Sequence, residues 1–280
     1  MSIHPYWLLY LKSDFYYVLT YHLIRYRRKV VRANLLRSFP KKDAKAIKTI
    51  EKHFYRNLCD LFVEAPKMLN MKPDGYKYRI KFTNPELLTQ LYEQHKNVFY
   101  AIPHSGNWEW FGKMTCDLTP HNCLAVYKRV QNPVFEQLML YLRTKDVPLE
   151  MLDSNSALRR LTQLRDSCNT VLMVADQTSH GLASDYWTEF LHQDTCWFTG
   201  LERIAKMLDY AVVFVAMKRT GRGQYEVTFE LITDQPKEME KGYIMEQYVR
   251  CVERFIQEQP DNWLWSHRRW KHQRPQKEEA

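Results

Sequence analysis

Apolar positions change their spacing several times along the chain, and each change predicts an element. In residues 43–68, Ile47, Ile50, Phe54, Leu58, Leu61 and Ala65 recur every three or four positions, which predicts a long amphipathic helix ending near Pro66. Residues 76–83 alternate like a half-exposed strand, and Asn84-Pro85 opens a helix running to about residue 96. Val98 to Ile102 is apolar at every position and rich in β-branched and aromatic residues, the pattern of a strand covered on both faces. Pro103 ends it, and Gly106 or Asn107 stands where the next helix needs its N-cap. Further strands are predicted over 123–127, 170–175, 211–217 and 225–232, and helices over 132–144, 156–166, 197–208 and 241–257. Strands separated by helices of about ten to fifteen residues predict an α/β fold, a largely parallel sheet flanked by helices.

The N-terminal 42 residues follow another rule. Residues 3–24 are strongly apolar and aromatic, but Lys12 and Asp14 interrupt them, so the run falls short of an uninterrupted spanning segment. No basic stretch precedes the run and no small-residue cleavage site follows it, which argues against a signal peptide. Arg25, Arg27, Arg28, Lys29, Arg32, Arg37, Lys41 and Lys42 come next with no acid among them. An apolar aromatic helix beside a polybasic stretch predicts a membrane-associating segment over 1–42. A core helix with a solvated charged tail is the alternative. A catalytic-size domain over 43–271 and a polar tail over 272–280 complete the expected organisation.

Composition narrows the partners. With 45% hydrophobic residues in 280, the chain can bury a full core and is not disordered. A formal charge of +9 calls for an anionic partner, nucleic acid or a phosphate-bearing membrane, and 14% aromatic residues favour the membrane. The cysteines, at 59, 116, 123, 168, 196 and 251, form no Cys-x2-Cys pair, and their even number in so long a chain predicts reduced core thiols in the cytosol. No metal site is expected. The eight glycines include neither Gly-x-Ser-x-Gly nor a phosphate loop, which excludes a serine-hydrolase elbow and a P-loop.

Candidate chemistry gathers after the strand at 98–102. His104 and Glu109, five apart, would point about 140° away from each other on one helix. With His104 in the strand-to-helix turn and Glu109 in the first helical turn, the carboxylate is expected to fold back onto one imidazole nitrogen. The other nitrogen is then free to take a proton from an attacking hydroxyl. Chance supplies about one His-x4-acid pair in such a chain, and it contains two; the second, His180 with Asp185, opens no recognisable helix. A helix-capping histidine beside a dipole-favoured Glu109 is the bland alternative. Asp176 ends the strand at 170–175 and is expected at the same sheet edge as His104. Lys128, Arg129 and Arg143 place cations near neighbouring element ends, suited to a thioester arm, a phosphorylated lipid or a developing oxyanion. Asn107, at the helix start, belongs with these substrate-binding candidates, and solvated surface charge is the alternative for Lys128 and Arg129. Trp263, Trp265, Arg268 and Arg269 form an aromatic and cationic cluster expected at a membrane interface or an anion, together with Arg25, Arg27, Arg28 and Lys29. His267, among them, lacks a metal-spaced partner and is expected to be structural.

With these residues in view, the sequence resembles the late acyltransferases of lipid A biosynthesis, the lauroyl and myristoyl type, within the lysophospholipid acyltransferase superfamily. The resemblance runs from about Tyr10 to Lys271 and rests on His104-Ser-Gly-Asn-Trp-Glu109, Tyr127 with Asn132-Pro133, Arg143, Ala175-Asp176-Gln177, Phe198-Thr-Gly200 with Arg203, and Trp263-Leu-Trp-Ser-His-Arg-Arg-Trp-Lys271. It implies transfer of a fatty acyl chain from acyl-carrier protein to a hydroxyl of a glucosamine-based lipid at the cytoplasmic face of the inner membrane, with no cofactor. His104 and Glu109 fall on the family's catalytic pair, and Arg143 and Asp176 on positions near its site. The N-terminal anchor is shorter and more interrupted than a spanning helix. A glycerophospholipid acyltransferase is the nearest rival, but its Pro-Glu-Gly-Thr block is replaced here by Ala175-Asp-Gln-Thr178. A non-catalytic basic protein binding membrane or nucleic acid is the rival from another class. No serine or cysteine stands as an obvious nucleophile, so direct transfer without an acyl-enzyme is expected, and the partners are acyl-carrier protein, a lipid acceptor and the membrane, not nucleic acid.

Overall fold

Helical spacing and turn chemistry set the first third of the computed structural model, which describes residues 2–71, 73–178 and 185–274. His180 lies outside them. α1 (Tyr6–Tyr17) runs into a wider helical turn at Val18–Leu23, and the chain reverses through Arg25 and Arg27, both at positive φ. The polybasic stretch then forms α2 (Arg28–Ser38), whose Val31, Asn34 and Leu35 are buried. It is a docked helix and not a solvated tail. α3 (Ala44–Glu64) is capped by the Asp43 carboxylate, which accepts from the Ala46 amide, and tightens into a 3-10 turn at Ala65–Leu69 around Pro66.

The alternating stretch at 76–83 is only half a strand. α4 (Pro73–Lys77) occupies its start, because Tyr76 is buried edge-on against Trp110, and β1 (Ile80–Phe82) is what remains. α5 (Glu86–Glu93), β2 (Val98–Ile102), α6 (Trp108–Met114) and β3 (Asn122–Tyr127) follow. α7 (Pro133–Thr144), β4 (Leu149–Asp153), α8 (Ala157–Gln163) and β5 (Asn169–Val174) continue the alternation. β6 (Asp185–Phe190) and β7 (Gln193–Phe198) pair as a separate antiparallel hairpin. The helix predicted from residue 197 therefore starts later, as α9 (Gly200–Leu208), since Trp197 is a buried strand residue packed edge-on against Phe190. β8 (Ala211–Gly221), β9 (Gln224–Thr233) and α10 (Tyr243–Glu258) complete the described elements.

Seven strands form the main sheet in the order β1-β9-β8-β2-β5-β3-β4. Every neighbouring pair is parallel except β8 with β9. β2 and β5 lie at the centre, and β2 is fully buried. Its Phe99 and Ala101 join the core shared with α3, α9 and α10, while Val98, Tyr100 and Ile102 join the core under α5 and α6. The two-sided apolar run has the cover on both faces that its composition calls for.

α1 is held to this body by polar contacts. Ser13 Oγ donates to Asp60 Oδ1 at 2.6 Å, and Tyr10 donates to the buried Glu64 at 3.1 Å. Arg222, beyond β8, pairs with both Asp14 and Asp60. Asp14, which breaks the apolar run in the sequence, thus has its partner on the protein body. Trp7, Leu11, Phe15 and Val18, at four- and three-residue spacing, form an outward stripe, each between 49% and 69% exposed. Among the described residues, no helix is long and apolar enough to cross a membrane.

Candidate active site

Strand register brings the two central polar side chains together. In the parallel pair β2 and β5, Ile102 stands beside Val174. His104 and Asp176 each lie two residues further, so both emerge from the carboxyl edge of the sheet on strands about 4.8 Å apart. His104 Nδ1 and Asp176 Oδ1 are 2.5 Å apart, and the His104 amide donates to Asp176 Oδ2 at 2.9 Å. Trp263 Nε1 donates to the same Oδ2 at 2.6 Å. Asp176 is buried, which alone would raise its pKa, but the His104 charge and these three hydrogen bonds outweigh burial and the net shift is downward.

The turn that carries His104 is locked from the C-terminal side. Leu264 N donates to His104 O at 3.1 Å, Ser105 bridges to Trp263, and Gly106 N donates to Asn262 O and Oδ1. Gly106 takes φ +59°, and a Cβ there would lie 2.8 Å from Met217 O, so both the backbone conformation and the space require glycine. Asn107 caps α6 by accepting from Trp110 N at 3.0 Å.

Nδ1 is thus bonded to Asp176, and Nε2 is the basic nitrogen left. The Gln177 amide nitrogen lies 3.2 Å from it, and the Trp108 ring stands edge-on at 5.2 Å. Glu109 does not fold back onto the imidazole. Its two oxygens accept from Arg143 Nε and Nη2 at 2.8 and 2.6 Å, a bidentate pair that ties the first turn of α6 to the last turn of α7. The guanidinium fork fits a carboxylate with two parallel bonds, whereas an imidazole nitrogen offers one, and Asp176 is already aligned with it by strand register.

The remaining candidates sort by burial. Asn107 is fully buried, with its amide on Glu64 at 2.8 Å, so it builds the turn and is closed to substrate. Lys128 is exposed, and Arg129 pairs with Asp153 at 2.5 Å. Arg203 is exposed on α9, with no side-chain contact to His104 or Asp176 among the described residues. Trp263 and Trp265 are buried, the first on Asp176 and the second bonded to Pro260 O, so neither is an interfacial residue. Arg269 is also buried and stacks at 4.2 Å on Trp197, with burial pushing its pKa down to about 10 against the opposing pull of Asp176. Arg27 bonds Ser266 O, and Arg28 pairs with the buried Glu51. Arg25, Lys29 and Arg268 remain exposed.

Sequence reasoning missed Trp263 as an Asp176 partner and Gln177 as a neighbour of the basic nitrogen. The first reads as a membrane tryptophan when indoles cluster with cations, and only the fold shows the cluster turned inward. α7 forms one wall beside Glu109 and buries only Leu142, leaving Val134, Phe135, Leu138 and Tyr141 exposed. An apolar surface therefore adjoins the polar group. Among the described residues no cluster of metal ligands occurs.

Fold and site together define a mostly parallel α/β protein with a histidine-carboxylate pair at the carboxyl edge of its central strands. Residues 3–272 match the family of bacterial lipid A biosynthesis acyltransferases, and the chain belongs to that family. It is accordingly an acyltransferase of lipid A biosynthesis with a lipid acceptor. No individual curated protein matches it.

Proposed function

We propose that the protein transfers a fatty acyl chain from an acyl-carrier-protein thioester to a hydroxyl of a lipid A precursor by direct attack. The pairing of His104 Nδ1 with Asp176 carries this reading, because it leaves Nε2 as the ring nitrogen able to take a proton from a substrate hydroxyl. Asp176, held by Trp263 and the His104 amide, fixes the tautomer. Nε2 takes the hydroxyl proton as the acceptor oxygen bonds to the thioester carbonyl carbon. The carbonyl oxygen becomes an oxyanion, the C–S bond then breaks, and the proton passes from His104 to the departing thiolate. Gln177, at 3.2 Å from Nε2, must yield that position to the acceptor hydroxyl.

The amides of His104, Ser105 and Gly106 are already bonded, to Asp176, Pro103 O and Asn262, and the oxyanion is assigned to Arg143. Glu109 sets the plane and position of that guanidinium. The mechanism requires no covalent acyl-protein and no cofactor. The outward stripe of α1 fits a helix lying in the inner membrane surface on its cytoplasmic face, with Arg25 and Lys29 toward anionic headgroups. Lipid mass spectrometry of a deletion strain tests the function. Lipid A lacking one acyl chain, restored by the intact gene, is the expected result, and an unchanged acyl pattern with altered glycerophospholipids would reject it in favour of a glycerophospholipid acyltransferase.

A further inference from the structure

A hollow of about 310 Å3, remote in sequence from His104, opens between the start of α1, the turn after α3 and the approach to β1. Tyr6, Lys67, Asn70, Tyr78 and Arg79 are among its lining residues, and none of the described lining residues is acidic. Tyr6 organises the two cations: the Arg79 guanidinium lies 3.3 Å and the Lys67 ammonium 4.9 Å from its ring centroid. Arg79 is fixed by donating to Gly223 O at 3.1 Å, and the Tyr6 ring by its hydroxyl on Met71 Sδ at 3.0 Å. The Lys67 ammonium makes no hydrogen bond among the described residues, and burial followed by the Arg79 charge lowers its pKa. Lys12, bonded to His4 Nδ1, adds a third cation close by.

Two like charges set against one ring, with no carboxylate among the described lining residues, repel each other and attract an anion. The rim says what carries that anion. Tyr78, in its lining, is 83% exposed; Asn70 donates to Ser2 Oγ, next in the chain to the 81% exposed Ile3, and Trp7, next to Tyr6, is 69% exposed. We infer that this hollow, with Lys67 and Arg79 as its cations, binds the phosphate group of an anionic lipid, while Ile3, Trp7 and Tyr78 contact the acyl and glycerol region around it. The site is separate from the acyl-transfer centre and stands whether or not His104 is a general base.

Co-sedimentation of the full chain with phosphatidylcholine vesicles, with and without phosphatidylglycerol, tests the inference. The double substitution Lys67→Gln, Arg79→Gln is expected to weaken binding to the phosphatidylglycerol vesicles about tenfold to thirtyfold, and Lys67→Gln alone about fivefold. The control Lys45→Gln, Lys48→Gln removes the same charge from the exposed start of α3 and is expected to cost no more than about threefold. Equal losses in the two double variants would reduce the hollow to general surface charge and overturn the site, as would an unchanged Lys67→Gln. Phosphorus NMR with inorganic phosphate at matched ionic strength separates the two sources. Line broadening by the intact chain but not by the double variant shows that free phosphate fills the hollow, and its absence beside the vesicle result assigns the hollow to headgroups. Both results support a phosphate site.

Discussion

His104 shows how far single residues can be read from sequence. Its place after a buried strand marked it as reactive, and the strand ending before Asp176 put a carboxylate at the same edge. Which acid would meet the imidazole was not legible, because Glu109 is near in sequence while Asp176 is near only through the register of β2 with β5. Two substitutions separate the roles. Asp176→Asn is expected to lower turnover by about 10²–10⁴ with little change in KM, since the wrong tautomer is held. Glu109→Gln leaves that pairing intact and is expected to act through Arg143, with a smaller loss in turnover that adds nothing to the larger loss of Arg143→Gln. Steady-state kinetics on the three variants check this, and wild-type turnover in Asp176→Asn would return the orienting role to another group.

His267 supplies a pH dependence. Burial above all, with the charges of Arg269, His104 and Lys271, lowers its pKa to about 4, although Asp176 pulls the other way. Its Nε2 accepts from the Thr178 amide at 3.3 Å. Above about pH 6.5 the ring is neutral in both states. As pH falls from there toward 4 the unfolded chain gains a proton that the folded one does not, so stability falls with pH by on the order of 2 kcal/mol, and below the folded value the loss levels off. Asp176, whose pKa is depressed, adds its own loss only as pH falls through its still lower folded value. Urea denaturation from pH 7 to pH 4.5 is expected to show a shallower decline for His267→Gln than for the intact chain; parallel declines would remove His267 from the explanation.

At the scale of elements, periodicity identified α3, β2, α7, β8 and α10, whose apolar faces are long or complete. It missed β4 and the β6-β7 hairpin, since five- or six-residue strands carrying charged and polar side chains do not alternate cleanly. α2 was hidden by its arginines: Arg28 and Arg32 read as part of a polybasic membrane-contact stretch, but both pair with the buried Glu51, a contact no local pattern announces. α1 is the converse case. Lys12 and Asp14 broke its apolar run in the sequence, yet its outward stripe of Trp7, Leu11, Phe15 and Val18 is uninterrupted on the helix surface. Trp7→Ser, Leu11→Ser and Phe15→Ser together are expected to release the protein from vesicles by about a hundredfold or more while leaving its melting temperature nearly unchanged, because the stripe is exposed in the isolated chain. Undiminished sedimentation with vesicles would place the membrane contact elsewhere.

For the whole molecule, the excess of basic residues divides between structural and surface work. Arg28, Arg32, Arg143, Arg219 and Arg222 hold carboxylates inside the fold, and Arg269 is buried against Trp197, so the formal +9 overstates the density of free surface cations. Arg25, Lys29 and Arg268 are exposed near the N-terminal and C-terminal segments, where they are available to an anionic surface. The fold places an exposed apolar face on α7, an imidazole paired with a buried carboxylate and an outward aromatic stripe on one chain, a combination that suits the proposed transfer of an acyl group between two amphipathic substrates.

Turnover of purified protein and of His104→Ala, followed as the gain of one acyl chain by a lipid A precursor supplied with acyl-carrier-protein thioester, tests that requirement most directly. The account expects the intact chain to acylate the precursor and His104→Ala to fall by about 10²–10⁴ while still folded. A His104→Ala protein turning over at the intact rate would contradict it.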